Sequence, residues 1–597
     1  MGTNTYFPLV VHYFVIFGNS INQRGYSGNG GLVMPQFILN HLPKWGVLME
    51  VFFLSAVPLL ILLTIRQIKI FDGAYSQRKQ KLEEIQREDQ RGLDSGDTRT
   101  ASDEEILSYT DDYQLNLDKF RKTALDMDDV NERTIFLQNL KARGILFFVD
   151  GLTDKPGLDQ NILKPLLDWA SKPLTDEHIR NEKLEDYLVQ QVLLISETEW
   201  IVDVHQALRK VLFGSTMLLV EGMPGALLLG SSRGQTRSVE EPISEAVLRG
   251  PRIGFTETLS DNTAMLRRHG ENKSLAMTSY QVGKRVQKKL MVIYFKDIAN
   301  EELVAEVKRR IRTIDVDEVL ENGYVEQLIE DNFLSPFAQI QNTERPDRVM
   351  SSLLEGRVAI LLDGSSYALL MPVTYAMMLQ SPEDYYERWL PGSLIRILRF
   401  VCTFISLFAP ALYISFISFH PGLIPTKLVV SIIATRQGVP FSTLIEALIM
   451  EIAIEVLREA GLRLPKPIGP AMGIVGGLII GQAAVNAGIV SPILVIVVAV
   501  TAICSFATPM YSAGLSMRLL RFPIMFSAAM FGLYGVIMSF LFLTVHMLKL
   551  KSFGISYVNL AVPQSLKDWK DYVIRVPLQF MKYRPEVLKP KESKRKD

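Results

Sequence analysis

The sequence predicts a mixed soluble region, α+β/α/β in two subdomains, followed by an α-helical transmembrane bundle of four to five spans. Three observations carry this. Charged residues lie mostly before Arg399 and long apolar runs mostly after it. Three of those runs are uncharged over lengths that suit a bilayer. The soluble part repeats one order of strand, helix and hairpin.

At 597 residues the chain is too long for one hydrophobic core, so at least two folded units are required. Its formal net charge is zero, which gives no electrostatic reason to expect a nucleic-acid partner. Cys402 and Cys504 are the only cysteines, and both sit in apolar runs. Two such thiols supply neither a disulfide framework nor a structural zinc site, and no redox motif surrounds them. The seven histidines are scattered, without an HExxH pattern, so no metal or cofactor is expected. The opening MGTNTYFPLVVHYFVIF lacks a basic n-region and predicts no cleaved signal peptide.

Residues 1–76 read as an N-terminal extension with an additional span at 51–65, abutted by Glu50 and followed by Arg66, Lys69, Arg78 and Lys79. Residues 77–105 have almost no large apolar side chains and read as a solvated charged linker. Two cytoplasmic α/β subdomains follow, over 106–240 and 241–395. GILFFVDG at 144–151 and LMVIYFKD at 290–297 are buried strands, each followed by a helical pattern. MLLVEGMPGALLL at 217–229 and AILLDGSSYALLM at 359–371 are hairpins in which an acid and a glycine begin the turn and Ala-Leu-Leu resumes the second strand. This order reads as a duplication or, more plainly, as two hairpins alike because hairpins are.

Residues 396–550 form the predicted bundle, and 551–597 a basic cytoplasmic tail ending KPKESKRKD. FVCTFISLFAPALYISFISF at 400–419 is uncharged, and about 20 residues at about 1.5 Å each span a hydrocarbon core of about 30 Å. Pro410 is tolerated there because neighbouring helices re-satisfy the backbone. Residues 468–507 hold two spans broken near NAGIVSP, and 522–544 read as one more. Between them STLIEALIMEIAIEVLR at 442–458 carries Glu446, Glu451 and Glu455, and reads as a polar membrane helix, a re-entrant segment or an interfacial helix. Arg396, Arg399, Arg458, Arg463, Lys466, Arg518 and Arg521 mark cytoplasmic ends by the positive-inside rule. Parity then conflicts: five spans would put the basic tail outside, whereas four spans with 442–458 re-entrant would not.

Gly230-Ser231-Ser232-Arg233-Gly234 matches the GxSxG nucleophile elbow, but the strand is the return arm of a hairpin and no helix start follows, so it reads as loop and no enzyme is predicted. Gly473, Gly477 and Gly481 form a small-residue stripe that lets a second helix approach closely. Gln482 and Asn486 share a helix face nearby, suited to interhelical hydrogen bonding or to lining a polar path. Glu451 and Glu455 share a face while Glu446 points elsewhere. Rings of such acids and amides would replace part of a cation's hydration if several chains assembled around an axis.

Glu240-Glu241-Pro242, Glu245-Ala-Val-Leu-Arg-Gly-Pro-Arg252, Gly254-Phe-Thr-Glu-Thr-Leu259, Asn262 and Arg267-Arg268 resemble the A subunit of GerA-type spore germinant receptors. So do Thr343-Glu-Arg-Pro-Asp347, Glu355-Gly-Arg-Val-Ala-Ile360, Asp384-Tyr-Tyr386, Pro410-Ala-Leu-Tyr413 and the run IVGGLIIGQAAVNAGIVSP. The motifs stand in family order from about residue 111 to 585. Ala338 departs from the family's usual second proline, and residues 1 to about 105 have no counterpart. The resemblance implies an inner-membrane protein of endospores, embedded in membrane lipid, that acts with a transporter-like B subunit and a lipoprotein C subunit and oligomerises into a ligand-gated cation channel. A paralogue class acting with the dipicolinate-release machinery shares the fold. A secondary transporter and a non-conducting membrane scaffold are the rival readings.

Overall fold

The computed structural model describes residues 108–595, apart from 111, 173–186, 224, 233–240, 243–244, 246, 270–272, 464–468 and 559–570. The N-terminal extension, its candidate span at 51–65 and the linker at 77–105 lie outside the described residues.

The soluble region holds two five-stranded antiparallel sheets with one shared plan. After α1 (Tyr113–Thr123) come β1 (Val130–Leu137), β2 (Ala142–Val149), a helical run over 155–170 (α2), β3 (Thr198–Ile201), α3 (Val204–Leu212), β4 (Thr216–Val220) and β5 (Ala226–Leu229). After α4 (Leu259–Arg267) come β6 (Leu275–Val282), β7 (Lys288–Phe295), α5 (Glu301–Arg312), α6 (Asn322–Ile329), β8 (Gln341–Thr343), α7 (Pro346–Leu353), β9 (Val358–Leu362) and β10 (Ala368–Met371). The spatial orders are β1-β2-β4-β5-β3 and β6-β7-β9-β10-β8. Position for position these are the same topology. Even the details repeat. Thr110 N–H and Thr256 N–H donate to the amide oxygens of Asn116 and Asn262, six residues on, at 2.7 and 2.8 Å. Gly222 and Gly364 follow the acid in each hairpin turn at φ 87° and 83°, a conformation that costs glycine nothing.

Each sheet is covered on both faces, which is why β4 and β9 are buried along their whole length and read as continuous apolar runs. In the first sheet α1 and α3 cover one face and α2 the other. In the second, α5 and α6 cover one face, and the core under α4 and α7 runs on into the helical layer beyond.

The two sheets meet through the loop after α1. Met127 pairs with Met277 of β6 in a parallel bridge, and Asp129 accepts two hydrogen bonds from Arg267, at 2.8 and 2.9 Å, with both side chains 2% exposed.

Past α8 (Tyr375–Leu379) and α9 (Glu383–Tyr386) the chain enters the helical layer: α10 (Trp389–Ser418), α11 (Thr426–Arg436), α12 (Thr443–Arg463), α13 (Gly469–Asn486), α14 (Pro492–Phe506) and α15 (Tyr511–Lys549). Among the described residues only α10 and α15 are long and apolar enough to cross a membrane by length and composition, fewer than the four to five spans expected. α14 is short, and α12 carries its acids as one continuous helix over the segment that sequence left open as re-entrant.

The largest departure lies in α15. Residues 522–544 read as one span, but Gly532 has φ 60° and breaks the helix. A straight helix would put Ser516 and His546 about 45 Å apart at about 1.5 Å per residue. Instead Ser516 bonds the Pro336 carbonyl and His546 bonds the hydroxyl of the adjacent Ser335, while Ser527 Oγ donates to the Gly535 carbonyl at 3.0 Å. α15 is therefore a helical hairpin. Its tip packs on Phe419 and His420 at the end of α10, where a Cβ on Gly532 would crowd both rings. The second arm returns to the soluble region: Ser552 Oγ donates to the Gln339 carbonyl at 2.7 Å and accepts from Val373 N–H at 3.0 Å. The chain after α15 thus rejoins the second sheet at the end of the helical layer from which α10 departs.

Replacing Asp129 by Asn should leave Arg267 buried and uncompensated, costing about 3 kcal/mol of stability. Thermal unfolding of the intact chain checks this. The double variant Asp129→Leu with Arg267→Met should recover most of the loss, as expected when both charges leave together.

Candidate functional site: an ionic joint at the base of the helical layer

The soluble region and the helical layer are tied by three consecutive residues of α9, each reaching a different element. Asp384 turns toward α10. Arg396 and Arg399 lie three apart on one face of that helix. Arg399 Nη1 donates to both oxygens of Asp384 at 2.7 and 2.8 Å, and Arg396 Nε to one of them at 3.3 Å. Gly392 is required one turn earlier, because a Cβ there would stand 2.9 Å from the Asp384 carbonyl.

Tyr385 turns toward the C-terminal segment. Its hydroxyl donates to Asp571 at 2.7 Å, and Arg396 Nη1 donates to the same carboxylate at 2.8 Å. Burial, with the Asp571 charge beside it, pushes the Tyr385 phenol well above its ordinary range, so it stays a neutral donor. Burial also raises the Asp571 carboxyl, against the pull of Arg396. Arg575 Nη1 donates to the Asp384 and Glu387 carbonyls, and both Arg396 and Arg575 stack near the Tyr385 ring, at 5.5 and 5.4 Å.

Tyr386 turns back to the second sheet. Its hydroxyl donates to Asp347, whose carboxylate also binds Arg345 at 2.8 Å. Arg345 is fully buried and donates to the Glu245 and Pro251 carbonyls, while the Glu245 carboxylate accepts from Thr343 and pairs with Arg348 at 3.1 Å. The segment between the two halves of the soluble region is thus locked to β8, α7 and α9.

Inside the helical layer the three sequence-predicted acids are all paired. Glu446 is fully buried, pairs with Arg436 at 2.8 Å and accepts from Ser491 N–H at 3.1 Å. Glu451, 3% exposed, pairs with Arg521, which also donates to the Ser406 carbonyl at 2.8 Å. Glu455, 40% exposed, pairs with Arg458 at 3.1 Å and Arg518 at 3.2 Å. Arg396, Arg399, Arg518 and Arg521, which by the positive-inside rule mark cytoplasmic ends, are buried helical residues paired with carboxylates. Sequence reasoning missed Asp384, Asp571, Tyr385 and the arginines as partners. The one available signal was the repeated three-residue spacing of Arg396 with Arg399 and of Arg518 with Arg521.

The amides differ from the acids. Gln482 and Asn486 are exposed on α13, and among the described residues nothing beyond the helix's own backbone lies within 4 Å of a Cβ placed on Gly477, whereas one on Gly481 would meet Val495 at 3.3 Å. Gly473 lies in the same helix. In the GxSxG loop Ser231 bonds the Thr216 hydroxyl at 2.6 Å and Ser232 bridges to Thr153, while residues beyond 232 lie outside the described set. No group of three or more His, Cys, Asp or Glu suited to a metal occurs among the described residues.

The chain thus joins a duplicated α/β module through buried ion pairs to an apolar helical layer. Residues 118–587 match the model of the Bacillus/Clostridium GerA spore germination protein family. The chain is 43% identical over 488 residues to spore germination protein B1 of Bacillus subtilis, covering 82% of this chain and 99% of that one. It is 42% identical to spore germination protein GerLA of Bacillus cereus, covering 78% and 93%. Similarity at 40% identity, covering 74% and 85%, extends to a Bacillus subtilis protein described as the uncharacterized membrane protein YfkQ. The crystal structure of the N-terminal domain of the A subunit of the Bacillus megaterium germinant receptor GerK3 aligns at 27% identity and TM-score 0.34, over 45% of this chain and 98% of that one. The chain belongs to the GerA spore germination protein family.

Asp384→Asn should leave the buried Arg399 without a carboxylate, while Arg396 keeps Asp571, and lower stability by about 3 kcal/mol. Arg396→Lys should cost less but still weaken the joint, since an ammonium cannot fork to Asp384 and Asp571 together. Thermal unfolding in detergent ranks the two.

Proposed function

We propose that this chain is the membrane-embedded A-type subunit of a nutrient germinant receptor in the inner membrane of the endospore. On this reading it works with a transporter-like B subunit and a lipoprotein C subunit, and several copies assemble into a ligand-gated cation channel. The observation that carries the reading is the apolar outer surface of the helical layer: Leu394, Val401, Ile449, Ile452, Ile496 and Leu519 stand exposed on four helices, while ion pairs are buried within the layer's core. Lipid and neighbouring subunits are the surroundings such a surface suits.

The acids and amides proposed for permeation then separate by exposure. Glu446 and Glu451 are held by arginines of their own chain, so they set helix register. Glu455, Gln482 and Asn486 are the members of the set available to an axis shared by several copies. A non-conducting scaffold is the second reading, favoured by the arginine that accompanies every acid.

Single-channel recording of the purified chain, with and without its partner subunits, separates them. Glu455→Gln should lower cation conductance or selectivity several-fold without loss of assembly, whereas Glu451→Gln should lose folded protein because Arg521 is left unpaired. Normal conductance in Glu455→Gln and in Gln482→Leu removes these residues from the path, and absence of any current with all subunits present supports the scaffold. Gly477→Leu should cost assembly on native gels more than membrane insertion. Unchanged assembly would remove the glycine stripe from the interface.

A further inference from the structure

The loop between α6 and β8 carries an adjacent pair of apolar side chains that the rest of the chain leaves uncovered. Phe333 is 78% exposed and Leu334 80%, in a segment without regular structure. The loop is nevertheless firmly framed. Gln339, fully buried, accepts from Asn332 N–H at 2.9 Å and donates to the Asn332 carbonyl at 2.7 Å. Asn332 Oδ1 accepts from Leu334 N–H at 3.1 Å, and Asp331 pairs with Arg310 at 2.8 Å. These polar groups beside the pair are satisfied within the chain, which lowers the cost of taking the loop out of bulk water.

The loop's position gives the exposure its meaning. The next two residues meet both arms of the α15 hairpin: Ser335 Oγ bonds His546 Nε2 at 2.9 Å, and the Pro336 carbonyl accepts from Ser516. Phe337 packs against His546 and Tyr557. Counted along the arms from Gly532 at the tip, Ser516 and His546 lie about 24 and about 21 Å away, at about 1.5 Å per residue. A hydrocarbon core is about 30 Å thick, so Phe333 and Leu334 fall at the edge of the layer that the hairpin would occupy. Leu515 and Leu519, either side of Ser516 in α15, are exposed too and continue the apolar surface. Exposure alone would not single the pair out. Leu248 is also exposed, but its N–H donates to Glu383 in α9. That helix meets α10 at Gly392, about 40 Å from Phe419 at the tip and beyond such a core.

We propose that Phe333 and Leu334 are a lipid-contact site, inserted at the acyl–headgroup boundary of the leaflet that faces the soluble region. The proposal rests on the membrane-embedded reading above and adds an anchor outside the helices. Aromatic and branched apolar side chains suit that boundary, where they bury apolar area while the backbone stays near water. Because the loop leads from α6 to β8, the anchor holds the second sheet to the bilayer independently of α9.

The test uses the full chain in vesicles of phosphatidylethanolamine and phosphatidylglycerol, with Cys402→Ser and Cys504→Ser as background. Phe333→Cys, Leu194→Cys and Phe542→Cys are made singly, at exposed positions of the loop, the first module and α15. Each is labelled with nitrobenzoxadiazole and quenched by iodide in the water, or by lipids bearing a nitroxide at the headgroup end or the methyl end of the acyl chain. Phe333→Cys should be quenched several-fold more than Leu194→Cys by the headgroup-end nitroxide, and several-fold less by iodide. Phe542→Cys, near mid-core, should answer most to the methyl-end nitroxide. Lipid quenching at Phe542→Cys with only iodide quenching at Phe333→Cys overturns the anchor and leaves the membrane reading standing. Shielding of Phe333→Cys from iodide and lipid alike also overturns it, because a second copy or a partner subunit then covers the loop. Lipid quenching at neither position removes the membrane reading and the anchor with it.

Discussion

A carboxylate removed from water must be matched by positive charge close at hand, and Asp384 meets that demand with two arginines of a neighbouring helix. Much of the molecule's geometry depends on this pairing. An unmatched charge at that depth costs several kcal/mol, so α9 and the base of α10 hold their places together or not at all. Because Tyr385 and Tyr386 directly follow Asp384 in one short helix, the same turn also fixes the C-terminal segment through Asp571 and the second sheet through Asp347. A displacement in the soluble region has no soft loop in which to dissipate before it reaches α10. It must move buried, forked hydrogen bonds, which favours discrete alternative arrangements over gradual deformation.

The hairpin in α15 and the C-terminal segment complete this frame. Had α15 been one straight helix of 39 residues, its end would lie far from the soluble region. Folded at Gly532, it delivers residue 549 back beside Gln339 and Val373, and the chain after it runs along the second sheet. Arg584 donates to the Leu354 carbonyl at 2.8 Å, Lys591 pairs with Glu301 at 2.7 Å, and Arg595 pairs with Glu355 at 3.1 Å. The lysines and arginines that read as a basic tail act here as a strap that binds the second α/β half from behind, while Asp571 grips α10 from below. The surface pairs among these contribute little singly. Their effect is to shorten the path between the far end of the chain and the joint.

Local signals were legible where a short stretch of sequence decides the outcome. Acid-glycine turns announce the hairpins at 217–229 and 359–371, because only glycine meets φ near 85° without strain. The doubly covered strands announce themselves as unbroken apolar runs. The shared strand order was out of reach, since β3 and β8 are short edge strands of four and three residues with no distinctive pattern. The repeated Thr–Asn clamp was present in the sequence as Thr110 with Asn116 and Thr256 with Asn262, and it is the clearest mark of duplication left unread. The apolar run at 522–544 misled for a physical reason: hydropathy registers that a segment prefers lipid or protein to water, and a hairpin and a span satisfy that preference equally. The positive-inside rule weighs arginines only by the side on which they fall, and does not register that Arg396, Arg399, Arg518 and Arg521 are buried against carboxylates rather than solvated.

That last distinction bears on how charge in the helical layer relates to ions. A carboxylate can replace part of a cation's hydration only if its own charge is not already neutralised. Glu451 and Glu455 are one turn apart on α12, yet they differ in this respect. Glu451 is enclosed with Arg521, whose Nε also donates to the Ser406 carbonyl. Glu455 bridges Arg458 and Arg518 while leaving a substantial part of its side chain open. Three arginines therefore accompany two glutamates at this level, a local excess of positive charge that repels a cation passing close by. Any conduction path for cations must either run where the exposed edge of Glu455 faces away from those arginines, or use the neutral oxygens of Gln482 and Asn486 on α13. Amides offer their dipoles without a counter-ion to displace. The exposed amides of α13 thus fit a cation path better than the arginine-paired acids of α12, although sequence alone draws attention first to the acids.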